Sequence, residues 1–178
     1  MTLLAAAVVA PSASATDGQQ IATLIPAFER TQTPDDRVPS TVDLFALGIY
    51  DDSSVRALGS DEDADYWVAR SGSSDICLIT YIAGGNEIAA STCVSASSFY
   101  ESGLGIAAGD ALPGFEKTAE GYLFPADVKL SEATDRSSTM RASATEPTFL
   151  LADEAAEPAT FEREDGSLFE FAPIPSRA

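Results

Sequence analysis

The 178-residue chain carries 28 aspartate and glutamate residues against 10 lysine and arginine residues, a net charge of −18 at neutral pH, and contains no histidine. An acidic surface of this kind repels phosphate backbones and anionic headgroups, which disfavours nucleic-acid binding and polybasic attachment to membranes. The length and the 45% hydrophobic content predict one domain with a real core, and the missing histidine excludes catalytic triads that use one.

Residues 1–15 have the features of a secretion signal. The apolar run LLAAAVVA is followed by Ala13-Ser14-Ala15, a small-x-small pattern that predicts cleavage after Ala15. No lysine or arginine precedes Arg30, so the segment is predicted to be either an atypical signal peptide or a shortened membrane anchor. It is shorter than the roughly 20 residues that cross a bilayer, and no other stretch predicts a transmembrane span.

Residues 16–40 are predicted to form a helix and a linker. Asp17 is the expected N-cap, and Pro26 is expected to kink the helix. Four apolar side chains lie at the spacing of one helical face, which we expect to dock on the domain: Ile21, Leu24, Ile25 and Phe28. Residues 30–40 contain two prolines and no apolar period, which predicts an extended linker.

The segment 41–128 is predicted to be a β-rich domain. Its short apolar runs are separated by turn residues at regular spacing, the pattern of an antiparallel meander. The central hairpin is apolar on both faces, which predicts that both are largely covered. A helical turn or two is expected at residues 95–103. The predicted strands lie near residues 55–58, 66–70, 76–83, 87–94, 104–108 and 121–124.

The only two cysteines flank a predicted hairpin. If the chain turns at Gly84-Gly85-Asn86, then Cys77 lies directly opposite Cys93, at a separation that a disulfide can span. The alternatives are a metal pair, a redox pair and two buried free thiols. Zinc usually needs four Cys or His ligands, and a redox motif is normally a close C-x-x-C pair. A cross-strand disulfide is therefore favoured, and it implies an oxidising compartment.

An acidic cluster at alternate positions, Asp61, Asp63 and Asp65, matches the start of a calcium-binding loop. The later positions fail, because the sixth would be Tyr66 and the twelfth would be Gly72, where the loop requires glycine and glutamate respectively. The cluster is thus a weak calcium candidate, and the alternative is a solvated turn between two strands.

Tyr66 and Trp67 form a candidate binding surface. Trp67 is the only tryptophan in the chain, and two adjacent aromatic residues that are exposed would suggest a carbohydrate-binding or peptide-binding face. The alternative is that both side chains pack inside the domain.

The C-terminal third divides into two predicted parts. Residues 129–147 are rich in Ser, Thr, Ala and charge without a clear period, which predicts a flexible stretch. Residues 148–178 are predicted to form a β-hairpin and a tail, because Asp165-Gly166 lies between two alternating apolar runs. Three phenylalanines of this hairpin are expected to point toward a core or toward the meander: Phe161, Phe169 and Phe171. Whether the hairpin joins the first sheet is left open.

No catalytic constellation is present in the sequence. The chain has no nucleophile elbow, no phosphate-binding loop, no S-x-x-K motif and no dinucleotide fingerprint. We therefore predict no catalytic residue, no metal and no cofactor. Paired carboxylates could still hydrolyse a glycosidic bond, but 28 acidic residues make that signal unspecific.

Several short stretches are similar to a group of uncharacterised actinobacterial proteins that are secreted or membrane-anchored: TPDDRVP, SSVRALG, DYWVARSG, ICLITY and STCVSASSF. The similarity covers roughly residues 20–126. It implies an extracytoplasmic β domain with one cysteine in each of two adjacent strands, and hence a Cys77–Cys93 bond, but no assigned activity. The chain departs from the pattern because its start lacks a basic segment and a full-length anchor.

The sequence thus predicts an α+β fold that is predominantly antiparallel β, with one cross-strand disulfide. We expect a non-enzymatic binding or structural module, secreted or associated with the cell envelope, that binds a protein or a carbohydrate. Recognition is expected through an open sheet edge or an aromatic patch near Trp67. The alternatives are a carboxylate-dependent hydrolase of envelope polysaccharide and an envelope sensor that responds to redox.

Overall fold

The predicted fold class is confirmed by the computed structural model, in which three antiparallel sheets account for most of the regular structure. The predicted disulfide between Cys77 and Cys93 is also present. The structure describes residues 21–84, 87–109, 117–130, 140–152 and 156–175.

The first sheet, sheet A, is the predicted meander. Its strands follow one another in the order β1-β2-β3-β4. The hairpin register is the one expected from the sequence, with Cys77 opposite Cys93 and Ile82 opposite Ile88. The strands of sheet A are β1 (Arg56–Ser60), β2 (Ala64–Ser71), β3 (Asp75–Ile82) and β4 (Ile88–Ser95).

A short helix, α1 (Ala96–Ser102), leads from sheet A to the second sheet. The Ser95 hydroxyl caps it by accepting a hydrogen bond from the Ser98 amide, and Gly103 ends it with a φ of 68°. Sheet B has the order β5-β6-β8-β7. Its strands are β5 (Leu104–Gly109), β6 (Thr118–Leu123), β7 (Met140–Ala142) and β8 (Phe149–Ala152).

The predicted C-terminal hairpin forms a small sheet of its own. Its strands, β9 (Ala159–Glu162) and β10 (Leu168–Phe171), are antiparallel and enclose the Asp165-Gly166 turn. The hairpin pairs with neither larger sheet, although an isolated bridge joins Val128 to Arg163. As predicted, all three phenylalanines are buried, and they pack against the face of sheet B that points away from sheet A: Phe161, Phe169 and Phe171.

Three apolar clusters hold four layers together. The central cluster joins the facing sides of sheets A and B, and includes Leu78 and Phe149. A second lies between sheet B and the hairpin β9–β10, around Phe124. The third covers the outer face of sheet A, where residues 38–55 pack on Ile79 and its neighbours. Both faces of the β3–β4 hairpin are therefore largely covered, as the apolar pattern predicted, although Thr92 and Cys93 on β4 are exposed.

The N-terminal helix docks as predicted but does not kink at Pro26. Its described part ends at Leu24, Ile25 is extended, and a separate 3-10 helix follows at Pro26–Glu29. Proline cannot continue the hydrogen-bond ladder and forces the preceding residue toward extended backbone. Ile21 and Ile25 are buried in the central cluster. The proposed N-cap and the signal-like residues 1–15 lie outside the described residues.

Two segments predicted to be irregular are more ordered than expected. Residues 30–40, the expected linker, contain a 3-10 helix at Pro34–Asp36 that is anchored to β1. The prediction that residues 129–147 are flexible is wrong for residues 140–142, which form β7 and pair with β8 in sheet B. A three-residue strand is too short for periodicity to reveal. Residues 131–139 lie outside the described residues.

Sheets A and B approach closely at Gly121 in β6. A Cβ at this position would lie 2.6 Å from a ring carbon of Phe149 and 3.2 Å from one of Tyr66. The two rings pack on each other with centroids 5.1 Å apart. Gly121 thus provides the space that the aromatic pair occupies between the sheets.

Candidate functional site

The acidic cluster closes the turn between β1 and β2. Asp61 Oδ1 accepts hydrogen bonds from the amides of Asp63 and Ala64, at 2.8 and 2.7 Å, and its Oδ2 accepts one from the Tyr66 hydroxyl. Asp63 pairs with Lys117 at 3.3 Å. Within the described residues no group of acidic or cysteine side chains is arranged to hold a metal ion. Of the two interpretations of this cluster, a calcium-binding loop and a turn between two strands, the observed hydrogen bonds match the turn.

The side chain of Asp65 is half-buried near this turn. Burial, followed by the charge of Asp61, raises the pKa of Asp65 above its ordinary value.

Tyr66 and Trp67 do not form a surface; of the two alternatives, packing inside the domain is the one that the structure shows. They are 0% and 5% exposed, and they point to opposite faces of sheet A, into different clusters. Burial and the hydrogen bond to Asp61 raise the pKa of the Tyr66 phenol well above its ordinary value. Adjacent residues of a strand point to opposite sides, and each side of sheet A is covered by another layer.

The cross-strand disulfide is buried at one end and exposed at the other. Cys77 is 0% exposed on the central strand β3, whereas Cys93 is exposed on the edge strand β4. The bond fixes the register of the edge strand against its neighbour.

An exposed pair of aromatic side chains does exist, but elsewhere. Phe45 and Tyr50 are 73% and 68% exposed, and their rings meet edge to face with centroids 5.2 Å apart. Both belong to residues 38–55, which we call the outer loop because it covers the outer face of sheet A. We call Phe45 and Tyr50 the aromatic pair.

The outer loop is fixed on sheet A beneath the aromatic pair. Ile49 and Val55 are 3% and 1% exposed in the outer cluster, which also contains Trp67. Two serine hydroxyls of the sheet hold the loop backbone: Ser91 donates to the Leu47 carbonyl at 2.8 Å and Ser71 to the Gly48 carbonyl at 2.7 Å. The aromatic pair is therefore presented by an anchored loop.

The surroundings of the aromatic pair are acidic. The outer loop contains three exposed aspartates and neither lysine nor arginine. Asp43 accepts a hydrogen bond from the Ala46 amide at 3.1 Å, and Asp51 accepts from the amide and hydroxyl of Ser53 at 3.1 and 2.5 Å. These hydrogen bonds orient two carboxylates within a few residues of the exposed rings.

The two edges of sheet A differ. At the β1 edge, Asp36 accepts from the Ala57 amide, Arg30 donates to the Ala57 carbonyl and Ser143 donates to the Leu58 carbonyl. At the β4 edge, no hydrogen bond between described residues reaches the backbone from the side opposite β3. One edge is thus closed by side chains and the other is free of described partners.

A small cleft lies at the edge of sheet B, beside the start of β5. It is bordered by glycine, by aromatic and aliphatic side chains, and by the chain that follows β10. None of its lining residues is acidic: Ser102, Gly103, Leu104, Gly105, Tyr122, Leu123, Phe124, Phe171, Ala172 and Ile174. Hydrolysis of a glycoside by paired carboxylates requires two acids across the site, so this cleft gives that alternative no support.

No protein-family model matches this sequence, and no curated protein or solved structure is significantly similar to it. In the part of the chain that the structure describes, none of the helices has the length and apolar character needed to cross a membrane.

The aromatic pair lies in a stretch of the sequence that has neither a functional motif nor a hydrophobic period. The stretch DLFALGIYDD places two large aromatic residues among aspartates and small residues, between the predicted linker and the first strand. Motifs and hydrophobic periods do not identify such a loop, because distant parts of the chain decide whether its aromatic side chains are covered or exposed.

Proposed function

We propose that this protein is a non-enzymatic, extracytoplasmic binding module of the cell envelope that engages its partner through the aromatic pair, Phe45 and Tyr50. The observation that carries the proposal is the exposure of two large rings on an anchored loop. Large aromatic side chains are enriched at recognition surfaces because they bury much area with few rotatable bonds.

The energetics favour a partner at this position. Covering an exposed large apolar side chain contributes roughly 1.5–3 kcal/mol, so the aromatic pair leaves unused binding energy on the free protein. Because the loop is anchored by Ile49, Val55 and two serine hydrogen bonds, little further order has to be imposed on binding. A preorganised aromatic platform suits both carbohydrate and peptide partners.

The proposed compartment rests on the disulfide. Cysteine pairs of this kind persist in oxidising environments and are rare in reducing cytosol. The bond between Cys77 and Cys93, together with the signal-like residues 1–15 and the resemblance to extracytoplasmic proteins, supports export. Secretion and anchoring at the envelope are both consistent with this proposal.

Binding is tested with a display library of random short peptides and a panel of polysaccharides that includes peptidoglycan. The double variant Phe45→Ala/Tyr50→Ala is compared with Leu168→Ala, a control that removes a 66% exposed apolar side chain from the C-terminal hairpin. The proposal expects at least a tenfold loss of affinity in the double variant alone, equivalent to about 1.4 kcal/mol. Unchanged binding by the double variant would refute it.

A redox sensor is a second candidate because Cys93 is exposed on an edge strand. Equilibration of the bond in glutathione buffers would decide between the roles. A reduction potential below about −300 mV fits a structural bond, whereas a value near those of the oxidoreductases fits a sensor.

A further inference from the structure

We infer that the β4 edge of sheet A, to which no described residue is hydrogen-bonded from the side opposite β3, accepts an extended, basic segment of a partner protein as a fifth strand. This inference rests on the proposed function, because the aromatic pair belongs to the same recognition surface, and it specifies the class of partner. Added strands gain affinity from backbone hydrogen bonds and specificity from side chains on either face.

The register identifies the backbone groups that would be used. In antiparallel ladders, closely opposed residues form the pairs without mutual hydrogen bonds, with Cα atoms about 4.5 Å apart. Cys77 and Cys93 have Cα atoms 4.1 Å apart, so they form such a pair. Because the two kinds of pair alternate, the amide and carbonyl groups of Ala89, Ser91 and Cys93 point away from β3.

The sequence of β4 leaves this edge unprotected. Natural sheets discourage unwanted pairing with charged side chains, prolines or bulges on their edge strands. The eight residues Ile88–Ser95 contain neither charge nor proline, and they pair with β3 in continuous register. Since Asp36, Arg30 and Ser143 cover the β1 edge, β4 is the side of sheet A at which a strand can be added.

The position of the outer loop connects the β4 edge with the aromatic pair. Ser91, whose backbone groups point away from β3, donates its side-chain hydrogen bond to the Leu47 carbonyl of the outer loop. Leu47 lies two positions after Phe45 in the sequence. An added strand would direct alternate side chains to the face of sheet A on which this loop lies. Apolar side chains of that strand would meet the aromatic pair.

Charge selects a basic peptide over a second copy of the chain. The outer loop has only acidic charged residues, Glu87 before β4 is exposed, and the whole chain carries −18. Lysine and arginine side chains of an added strand would find carboxylates such as Asp43 nearby. Two copies of the chain would repel one another across the same edge.

The decisive variant is Ala89→Pro, which removes an outward amide and leaves the ladder to β3 intact. Ala89→Val is the matched control, because it enlarges the side chain and keeps the amide. Using the peptide display library, we expect selected peptides to be basic and to alternate apolar residues. We expect their affinity to fall about tenfold in Ala89→Pro and to remain unchanged within about threefold in Ala89→Val.

The unchanged chain provides an independent measurement that does not depend on folding of the proline variant. Addition of a selected peptide should slow hydrogen exchange at the amides of Ala89, Ser91 and Cys93, while Thr92, whose amide points toward β3, serves as the internal reference. Affinity should also decrease as salt is raised, because exposed ion pairs are screened.

The outcomes separate this inference from the proposed function. If Phe45→Ala/Tyr50→Ala abolishes peptide binding while Ala89→Pro and the amide exchange do not respond, the edge inference fails and the aromatic surface stands. If only a polysaccharide binds, and it requires the aromatic pair, the peptide class is wrong. A concentration-dependent dimer that Ala89→Pro abolishes would replace the peptide by a second copy of the chain. If neither Phe45→Ala/Tyr50→Ala nor Ala89→Pro changes the affinity, both proposals are wrong.

Discussion

Asp36 anchors the segment before β1, and its replacement by alanine should cost a large part of the stability of the domain. The carboxylate is 1% exposed and accepts five hydrogen bonds. Two come from the Arg30 guanidinium at 2.6 and 2.5 Å, two from the amide and hydroxyl of Thr33 at 2.7 and 3.0 Å, and one from the Ala57 amide at 2.8 Å.

The size of the effect follows from the groups left behind. Breaking a buried ion pair by removing one partner costs about 3–5 kcal/mol. Arg30 is 39% exposed and can recover water, which places the cost for Asp36→Ala near the lower end, at about 3 kcal/mol. For a chain of this length, that corresponds to a decrease in Tm of roughly 6–12 °C.

Urea unfolding followed by Trp67 fluorescence measures this cost. Trp67 is the only tryptophan and is buried in sheet A, so its emission reports on the unfolding of that sheet. Asp35→Ala is the matched control, since the neighbouring carboxylate is exposed, and it should change the free energy of unfolding by no more than about 0.5 kcal/mol. If Asp36→Ala is as stable as Asp35→Ala, the assigned role of the carboxylate is wrong.

The same carboxylate predicts a dependence of stability on pH. Burial alone raises the pKa of Asp36, but the hydrogen bonds from Arg30, Thr33 and Ala57 outweigh burial and hold the pKa well below its usual range. Since the folded pKa lies below the unfolded value of about 3.9, the contribution is fully present above that pH and is lost as pH falls toward the folded pKa. The stability difference between the unmodified protein and Asp36→Asn should therefore shrink below about pH 4. A constant difference would contradict this account.

Three further predictions concern the core. Thr80 is fully buried and its hydroxyl has no hydrogen-bond partner among the described residues, so Thr80→Val should raise the free energy of unfolding by about 1 kcal/mol; urea unfolding that gives a lower value would be evidence against a dry, unsatisfied hydroxyl. Gly121→Ala should lower it by about 1–3 kcal/mol, because the added methyl would contact the Phe149 ring, and an unchanged midpoint would mean that the ring can move aside. Replacing both Cys77 and Cys93 by alanine removes a bond across 16 residues and should cost about 3 kcal/mol in the same assay; a loss below about 1 kcal/mol would mean that the hairpin is held by its other contacts.

The candidate surface was only partly accessible from the sequence. Tyr66 and Trp67 were the candidate aromatic surface, with packing inside the domain as the alternative, and both are buried. Periodicity correctly places those two residues on opposite faces of a strand, yet it does not reveal that each face is covered by another layer. Exposure of Phe45 and Tyr50 depends on how residues 38–55 cross sheet A, which no local pattern specifies.

The sequence by itself determined the features that depend on neighbouring residues. The stretch Gly84-Gly85-Asn86 predicted the register in which Cys77 lies opposite Cys93, and Asp165-Gly166 predicted the C-terminal hairpin, because turn chemistry and alternation act over a few residues. Tertiary structure alone decided that β7 pairs with β8, that the hairpin packs as a further layer on sheet B and that β4 is the last strand of sheet A among the described residues. These outcomes depend on contacts between residues distant in sequence, where the burial of one layer determines which surface another leaves exposed.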